Sequence, residues 1–480
     1  MQNSKITLFQ AFLPILVLIP LLALNVYYYG DNSLGGANQF ALFFSAAIGI
    51  LVGIYNKIPY SAILKSIRDN IANTTSAIII LLLIGALSGT WLISGIIPSL
   101  IVYGLKILTP TIFLLATTII CAVVSVASGS SWSTIATVGI ALLGIGNALG
   151  FSEAITAGAV ISGAYFGDKM SPLSDTTNLA AAMAKTDLFT HIKYMSYTTI
   201  PSFGISTLLY LIIGFYYDTS EGQINVSDLT NAVEQSYYIS PILFLVPAIV
   251  LLLIMKKMKP IPVLFIGTLL GGVFAIIFQP ELISNLAPNG VSALQGSYMV
   301  VIDAMTTDIG IETGNTAVND LLSSSGMAGM LNTVFLIVCA MTFGGVLESI
   351  GSLHKITSIL VKNAHSVGGL ISRTVGSCLF VNLTASDQYL AIVLPGKMFN
   401  EAYDEMNLAP ENLSRTLEDS GTVTSVIIPW NTCGATQSSV LGVATIAYLP
   451  FCFFNILSPL MTIIFAYGQI KIRNKSDEPA

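Results

Sequence analysis

Charge is what this sequence lacks most. Only 9% of its 480 residues are Asp, Glu, Lys or Arg, whereas a soluble domain carries roughly a quarter. A chain this poor in charge cannot cover itself with a water-facing surface. Basic clusters are missing too, which excludes a nucleic-acid interface, and the net charge of −6 is spread over short loops. Cysteine is scarce: Cys121, Cys339, Cys378, Cys433 and Cys452 all fall in apolar segments without paired spacing. Buried free thiols are expected, with no disulfide frame and no metal site. The three histidines, His191, His354 and His365, lie among basic residues and read as surface groups.

Apolar runs fill the chain instead, 54% of it hydrophobic, and each is long enough for a bilayer crossing of about 20 residues. The first, 9–29, exceeds a signal-peptide core and has no small-residue cleavage site behind it, so it is read as a span. The expected crossings are 9–29, 38–55, 77–97, a broken one at 111–146, and 195–217. A second set follows at 238–255, 261–279, 331–351, a broken one at 369–396, and 443–468. Segments 154–182 and 412–442 are too polar and too interrupted by Gly and Pro for simple crossings and are read as re-entrant hairpins. Loops 30–36, 218–237 and 280–330 contain no Lys or Arg. Placing the basic groups inside then puts both termini in the cytoplasm, with Asp228 and Asn289 outside.

An odd number of crossings separates 9–29 from its counterpart 238–255, so the halves run in opposite directions. A sparse internal repeat divides the chain the same way. A shift of 257 carries Trp132, Gly139 and Pro172 onto Tyr389, Gly396 and Pro429, and a shift of 256 carries Gly89 and Gly95 onto Gly345 and Gly351. The fold class is therefore an all-α polytopic membrane protein of two inverted repeats, 1–217 and 238–480, joined by an outer loop at 218–237. It has about ten membrane helices, some broken, plus two hairpins. Inverted repeats with broken helices are a transporter signature.

Polar residues at bilayer depth are costly and persist where they face a partner or an ion. Four stretches stand out: 125–132, 167–178, 382–389, and 418–424 leading into 429–434. Together they offer carboxylates, hydroxyls, amides and the carbonyls of interrupted helices, the oxygens a hard cation needs. A carboxylate there also takes a proton when the cation leaves, so sodium and protons compete for one site. The ion-binding residues expected are Ser130, Asp175, Thr177, Asn178, Asp387, Asn431 and Thr432. Asp168, Asp175, Asp387, Glu418 and Asp419 are the candidates for proton coupling. Plainer roles stay open: an ion pair of Asp168 with Lys169, a helix cap for Asp175, solvent exposure for Glu348, a loop position for Glu153. Glu418 and Asp419 are adjacent and face different ways.

These stretches resemble the NhaC family of Na+/H+ antiporters. The likeness is carried by Ile161-Ser-Gly-Ala-Tyr-Phe-Gly-Asp-Lys-Met-Ser-Pro-Leu-Ser-Asp-Thr-Thr-Asn178, Leu413-Ser-Arg-Thr-Leu-Glu-Asp-Ser-Gly-Thr422, Pro429-Trp-Asn-Thr-Cys-Gly434, Asp387-Gln-Tyr-Leu390 and Leu394-Pro-Gly396. It covers roughly 40–470. The resemblance implies a superfamily in which hairpins with Asn-Thr tips form sodium sites. Asn431-Thr432 matches such a tip, whereas the first hairpin has Ser174-Asp175-Thr176. It also implies residence in a bacterial inner membrane, Na+ and H+ as cargo with no cofactor, and room for a homodimer. Relatives that exchange malate with lactate, or carry amino acids, make exchange of a small carboxylate the alternative. Enzymes fit poorly: an aspartyl intramembrane protease needs Gly-x-Gly-Asp, but Tyr165 stands two before Gly167, and 129–133 fails Gly-x-Ser-x-Gly. A passive channel is disfavoured by the paired broken halves.

Overall fold

The computed structural model describes residues 6–29, 35–217, 226–256, 258–313, 319, 322–362 and 366–475. Lys5, Lys257 and His365 lie outside the described residues. Among the described residues, the first half folds as ten helices: α1 (Leu8–Tyr29), α2 (Ala37–Tyr55), α3 (Tyr60–Asn73), α4 (Thr75–Ile93), α5 (Ile96–Ile107), α6 (Pro110–Ser128), α7 (Ser131–Ala148), α8 (Glu153–Met170), α9 (Asp175–Ala184) and α10 (Leu188–Tyr216). After it come α11 (Val226–Ser236), α12 (Leu245–Met255), α13 (Pro260–Phe278), α14 (Pro280–Leu286) and α15 (Ala293–Thr306). The chain closes with α16 (Leu331–Ser349), α17 (Ser352–Lys362), α18 (Val367–Thr384), α19 (Gln388–Glu405), α20 (Pro410–Leu417), α21 (Thr432–Leu441) and α22 (Phe453–Tyr467). Proline opens α6, α13, α14 and α20, where a missing N–H costs nothing and φ is already helical.

Among the described residues, nine helices are long and apolar enough to cross a membrane, or up to eleven if two bent pairs each count as one. This brackets the expected ten. Large apolar side chains such as Phe40, Leu51, Leu208, Phe215 and Ile277 stand exposed on the outer faces, which suits hydrocarbon rather than water. All five cysteines are buried and free.

Two details differ from the sequence reading. The stretch 111–146 is two helices, α6 and α7, of 19 and 18 residues. Each is about 27 Å long at 1.5 Å per residue, enough for a crossing of its own. Likewise 369–396 divides into α18 and α19, each of 18 residues. Second, the outer segment 280–330 contains α14, α15 and a two-residue ribbon pairing Ile309–Gly310 with Ser323–Ser324. Segment 154–182 resolves into α8, a non-helical tip and α9, and α9 packs chiefly on α19 and α20 rather than along α8.

Several helix starts recur at the shift noted in the sequence. Shifted by 257, the starts of α7, α8, α9 and α10 fall on Gln388, Pro410, Thr432 and Thr445, where α19, α20, α21 and a short helix over Thr445–Tyr448 begin. Left-handed residues recur likewise: Gly129 and Ser386, Gly150 and Asn407, Lys185 and Gly442, and, at 256, Gly95 and Gly351. Helices from both halves build an inner body, in which α6 packs on α8 and α10, α9 on α19, and α22 on α10 and α18. Around it α4 packs along α13 and α15, and α16 along α2 and α3.

Candidate functional site

Two breaks meet in the second half. Between α18 and α19, Ser386 adopts φ 59°, and Asp387 caps α19 by accepting the Leu390 N–H at 2.8 Å. Before α21, Asn431 caps the helix by accepting the Cys433 N–H at 3.1 Å. The breaks are tied together: Thr432 N–H donates to Ser386 O at 3.0 Å, and Trp430 Nε1 donates to Leu383 O at 2.8 Å. Asn431 Nδ2 donates to both Oδ1 and the carbonyl of Asn382, each at 3.1 Å. Asn382 in turn donates to Gly421 O at 2.7 Å and Thr424 Oγ1 at 3.1 Å. Asp387, Asn431 and Thr432 therefore share one cluster with Asn382 and Ser386, and the buried Oγ of Ser386 has no partner among the described residues.

The first half repeats the construction with other residues. Gly129 takes φ 68°, and a Cβ there would lie 2.5 Å from that of Leu173, so the two breaks touch. Ser130 caps α7 by accepting from Ser133 N–H at 3.2 Å, and Ser174 caps α9 by accepting from Thr177 N–H at 3.4 Å. Asp168 Oδ2 accepts from Ser131, from its N–H at 3.1 Å and its hydroxyl at 2.7 Å. Asn178 is spent on the tip, donating to Pro172 O and Ser174 O at 3.0 and 2.7 Å. Thr177 is buried and donates to Lys169 O at 3.0 Å. Asp175 is the first residue of α9 and is exposed; the cap is Ser174.

Lys169 corrects the sequence reading. Successive helix residues point about 100° apart, so Lys169 turns away from Asp168 and pairs with Asp419, 250 residues on, with neither side chain exposed. It also donates to Ser458 Oγ at 2.9 Å. Asp419 accepts from Thr198 Oγ1 at 2.7 Å and from Thr462. Its neighbour Glu418 points elsewhere and accepts from Thr176 Oγ1 at 3.0 Å, while its Oε2 has no partner among the described residues. A π turn over Glu418–Thr422 continues α20, a local widening frequent at functional sites. Thr198, Thr462 and Ser458 escaped the sequence reading. Their signal was a hydroxyl inside an apolar run, which is too common to single out.

Further along α20, Arg415 is wholly buried. It stacks 4.6 Å over the Tyr194 ring and donates from Nη1 to Lys471 O at 3.3 Å, while Nε and Nη2 have no partner among the described residues. Segment 468–475 crosses this helix as a strap. Arg473 O accepts from Ala409 N–H at 3.0 Å and from Asn412 Nδ2 at 2.7 Å, and Arg473 pairs with Glu411 at 2.6 Å. His191, read as a surface group, is fully buried and lies 2.7 Å from Ser414 Oγ. Glu348 is exposed, as expected, and accepts from Asn70 Nδ2 at 2.7 Å. Glu153 opens α8 rather than a loop and accepts from Asn147.

Comparison with known proteins adds relatives along most of the chain. It is 39% identical over 425 residues, 88% of this chain and 89% of the relative, to the Na+/H+ antiporter NhaC of Alkalihalophilus pseudofirmus. It is 36% identical over 89% of both chains to the malate-2H+/Na+-lactate antiporter of Bacillus subtilis. It is 37% identical to the NhaC of that organism over 89% of this chain and 91% of the relative. Residues 163–469, which hold most of both clusters and the Lys169–Asp419 pair, match the family model described as the Na+/H+ antiporter family. This polytopic chain with paired helix breaks belongs to the Na+/H+ antiporter family.

Proposed function

We propose that the protein is a secondary transporter that exchanges Na+ for H+ across a bacterial cell membrane by alternating access. The observation that carries this reading is the pairing of carboxylate-bearing helix breaks in a chain 39% identical to a Na+/H+ antiporter. Asp387 commits one oxygen to its cap and leaves the other for a cation. The last carbonyls of α6, α8 and α18, which no further helical turn satisfies, add oxygens at the negative ends of those helices. Ser130, Asp175, Thr177, Asn178, Asn431 and Thr432 complete the proposed ion site, with Asp168, Glu418 and Asp419 as proton-accepting neighbours. Sodium and a proton compete for these carboxylates, so each can cross only when the other has left.

The halves 1–217 and 238–480 run in opposite directions in this reading, joined outside by 218–237, with both termini cytoplasmic and a homodimer as the assembly. A second reading, sodium-coupled exchange of a small carboxylate, is favoured by one observation. Among the described residues, Arg415 is a buried guanidinium with two unpartnered nitrogens and no carboxylate on it, and a fixed positive charge is what an organic anion requires. Purified protein in liposomes, with an imposed sodium gradient and a lumenal pH dye, tests both. Proton movement without any organic anion is the expected result; movement only when malate or lactate is present would replace the first reading with the second.

A further inference from the structure

Away from the paired breaks, two cavities meet at one side chain. The first, of about 600 Å³, is polar and lies among α5, α11 and α14, with Lys106, Glu234, Tyr237 and Glu281 in its wall. The second, of about 360 Å³, is an apolar groove beside α5, α7 and α12. Tyr103 lines both, and its ring meets that of Phe244 edge-on at 5.3 Å, so this aromatic pair marks the boundary between them. The groove is built by helix periodicity. It takes Tyr103 and Ile107 from α5, Ala141 and Ile145 from α7, and Pro247 and Leu251 from α12; each pair is four residues apart and shares one helix face. A Cβ on Gly104 would lie 2.3 Å from Ile145 Cδ1, so α5 sits close on α7 there. Apart from Tyr103, the side-chain donors of the wall are spent: Trp91 Nε1 on Gly267 O at 3.2 Å and Thr137 Oγ1 on Ser133 O at 2.7 Å. Ile107 and Ile120 line the groove and stand exposed, so its mouth opens on the apolar outer surface. Such a groove takes hydrocarbon rather than water.

The polar cavity suits the other end of an amphiphile. Lys106, in the last turn of α5, lies 5.6 Å over the Tyr103 ring, with Glu234 Oε1 at 3.3 Å. Gln279 is spent on Ser94 O, Tyr238 O and the Tyr238 N–H. Glu281, in the first turn of α14, has no ion pair among the described residues, and the buried Tyr237 hydroxyl has no partner among them. One ammonium and two carboxylates leave the wall one unit negative. An anionic headgroup would set a second negative charge against it. A headgroup carrying both a phosphate and a primary ammonium adds no net charge and offers each wall charge its opposite. Three tyrosines, Tyr103, Tyr237 and Tyr238, line this cavity, as befits the level where hydrocarbon gives way to headgroups.

We infer that one phospholipid with a phosphoethanolamine headgroup binds here, with an acyl chain in the groove, its phosphate at Lys106 and its ammonium toward Glu281 and Glu234. The site stands apart from the paired breaks and holds whichever solute is exchanged. Delipidated protein in detergent is offered equal amounts of phosphatidylethanolamine, phosphatidylcholine and phosphatidylglycerol, and bound lipid is counted by native mass spectrometry. Phosphatidylethanolamine should be retained roughly fivefold over each of the others and should raise thermal stability most. Ala141→Phe and Leu251→Trp fill the groove, and each should cut retention about tenfold. Thermal unfolding without added lipid shows which of these variants folds. Glu281→Lys turns the wall net positive and should reverse the preference to phosphatidylglycerol while the groove still holds a chain; this variant decides if both groove variants misfold. Equal retention of the three lipids, or a preference of the parent for either of the other two, overturns the inference. So does parental retention by a folded groove variant, or an unreversed preference in Glu281→Lys.

Discussion

Asp168 and Lys169 adjoin in the chain yet serve opposite clusters, and that divergence sets the first predictions. Lys169 is buried with Asp419 as its counter-ion. Removing one member of a buried pair strands the other charge, at about 3–5 kcal/mol, whereas replacing both by apolar groups is often neutral. Lys169→Met should therefore lower the unfolding free energy in detergent by about that amount, and Lys169→Met with Asp419→Leu should recover most of it. Equal stability of the single variant and the parent would show the pair to be unimportant for folding. Asp387 allows a cleaner separation of roles. Asn caps a helix about as well as Asp, so Asp387→Asn should fold normally while losing sodium-driven proton movement. Asp175→Asn, with Ser174 still capping α9, should behave the same way. A variant that keeps near-parental exchange would reduce its residue to a structural role.

Among elements, α8 lies close against α6. A Cβ on Gly163 would come within 2.2 Å of Thr118 O, and one on Gly167 within 2.3 Å of Ala122 O. Small residues that let backbones approach are the usual basis of helix association in membranes. Gly163→Val should push α8 off α6 and lower thermal stability, with overpacking costing about 1–3 kcal/mol or more. Gly376 in α18 meets nothing within 4 Å, and Gly376→Ala should raise stability by up to about 1 kcal/mol from helix propensity. Differential scanning of both variants checks the contrast; similar behaviour would mean the close approach is not what holds α8. The breaks themselves were legible in the sequence, because Gly, Ser and Pro at a fixed shift mark non-helical backbone whatever surrounds it. Whether 111–146 was one span or two was not, since hydropathy runs continuously through the Gly129 turn. Nor was the partner of Lys169, because nothing local to a residue reports a contact 250 positions away.

For the whole molecule, the two halves and the two packed bodies do not coincide. The inner body takes α6 to α10 from one half and α18 to α22 from the other, interlocked by α9 on α19 and by the Lys169–Asp419 pair. Motion of this inner body against the surrounding helices would leave that pair intact, whereas rocking of one half on the other would break it. Tyr194 OH and Asn412 Oδ1, 2.6 Å apart, also join the halves. Cysteines at 194 and 412, in a chain without its native five, should accept a short bifunctional thiol reagent and still exchange sodium for protons. Loss of exchange on cross-linking would point to rocking halves. Orientation has its own test: single cysteines at Asp228 and Asn289 should react with an impermeant reagent from outside, and labelling from the cytoplasm would reverse the topology.

The strap over α20 has a bearing on how the protein is made. Ala409 N–H donates to Arg473 O and Asn407 O accepts from Lys475 N–H, and among the described residues the carbonyl of Lys471 is the one acceptor on the Arg415 guanidinium. At about 5–20 residues per second, a ribosome needs on the order of 3–13 s to travel between these points. Through that interval the nascent chain holds an open guanidinium and unpaired backbone at one membrane face. Translation of residues 471–475 is thus the step that seals it. A chain stopped at Ile470 should insert normally yet be cut by protease near 408–415; full resistance there would mean the seal lies elsewhere.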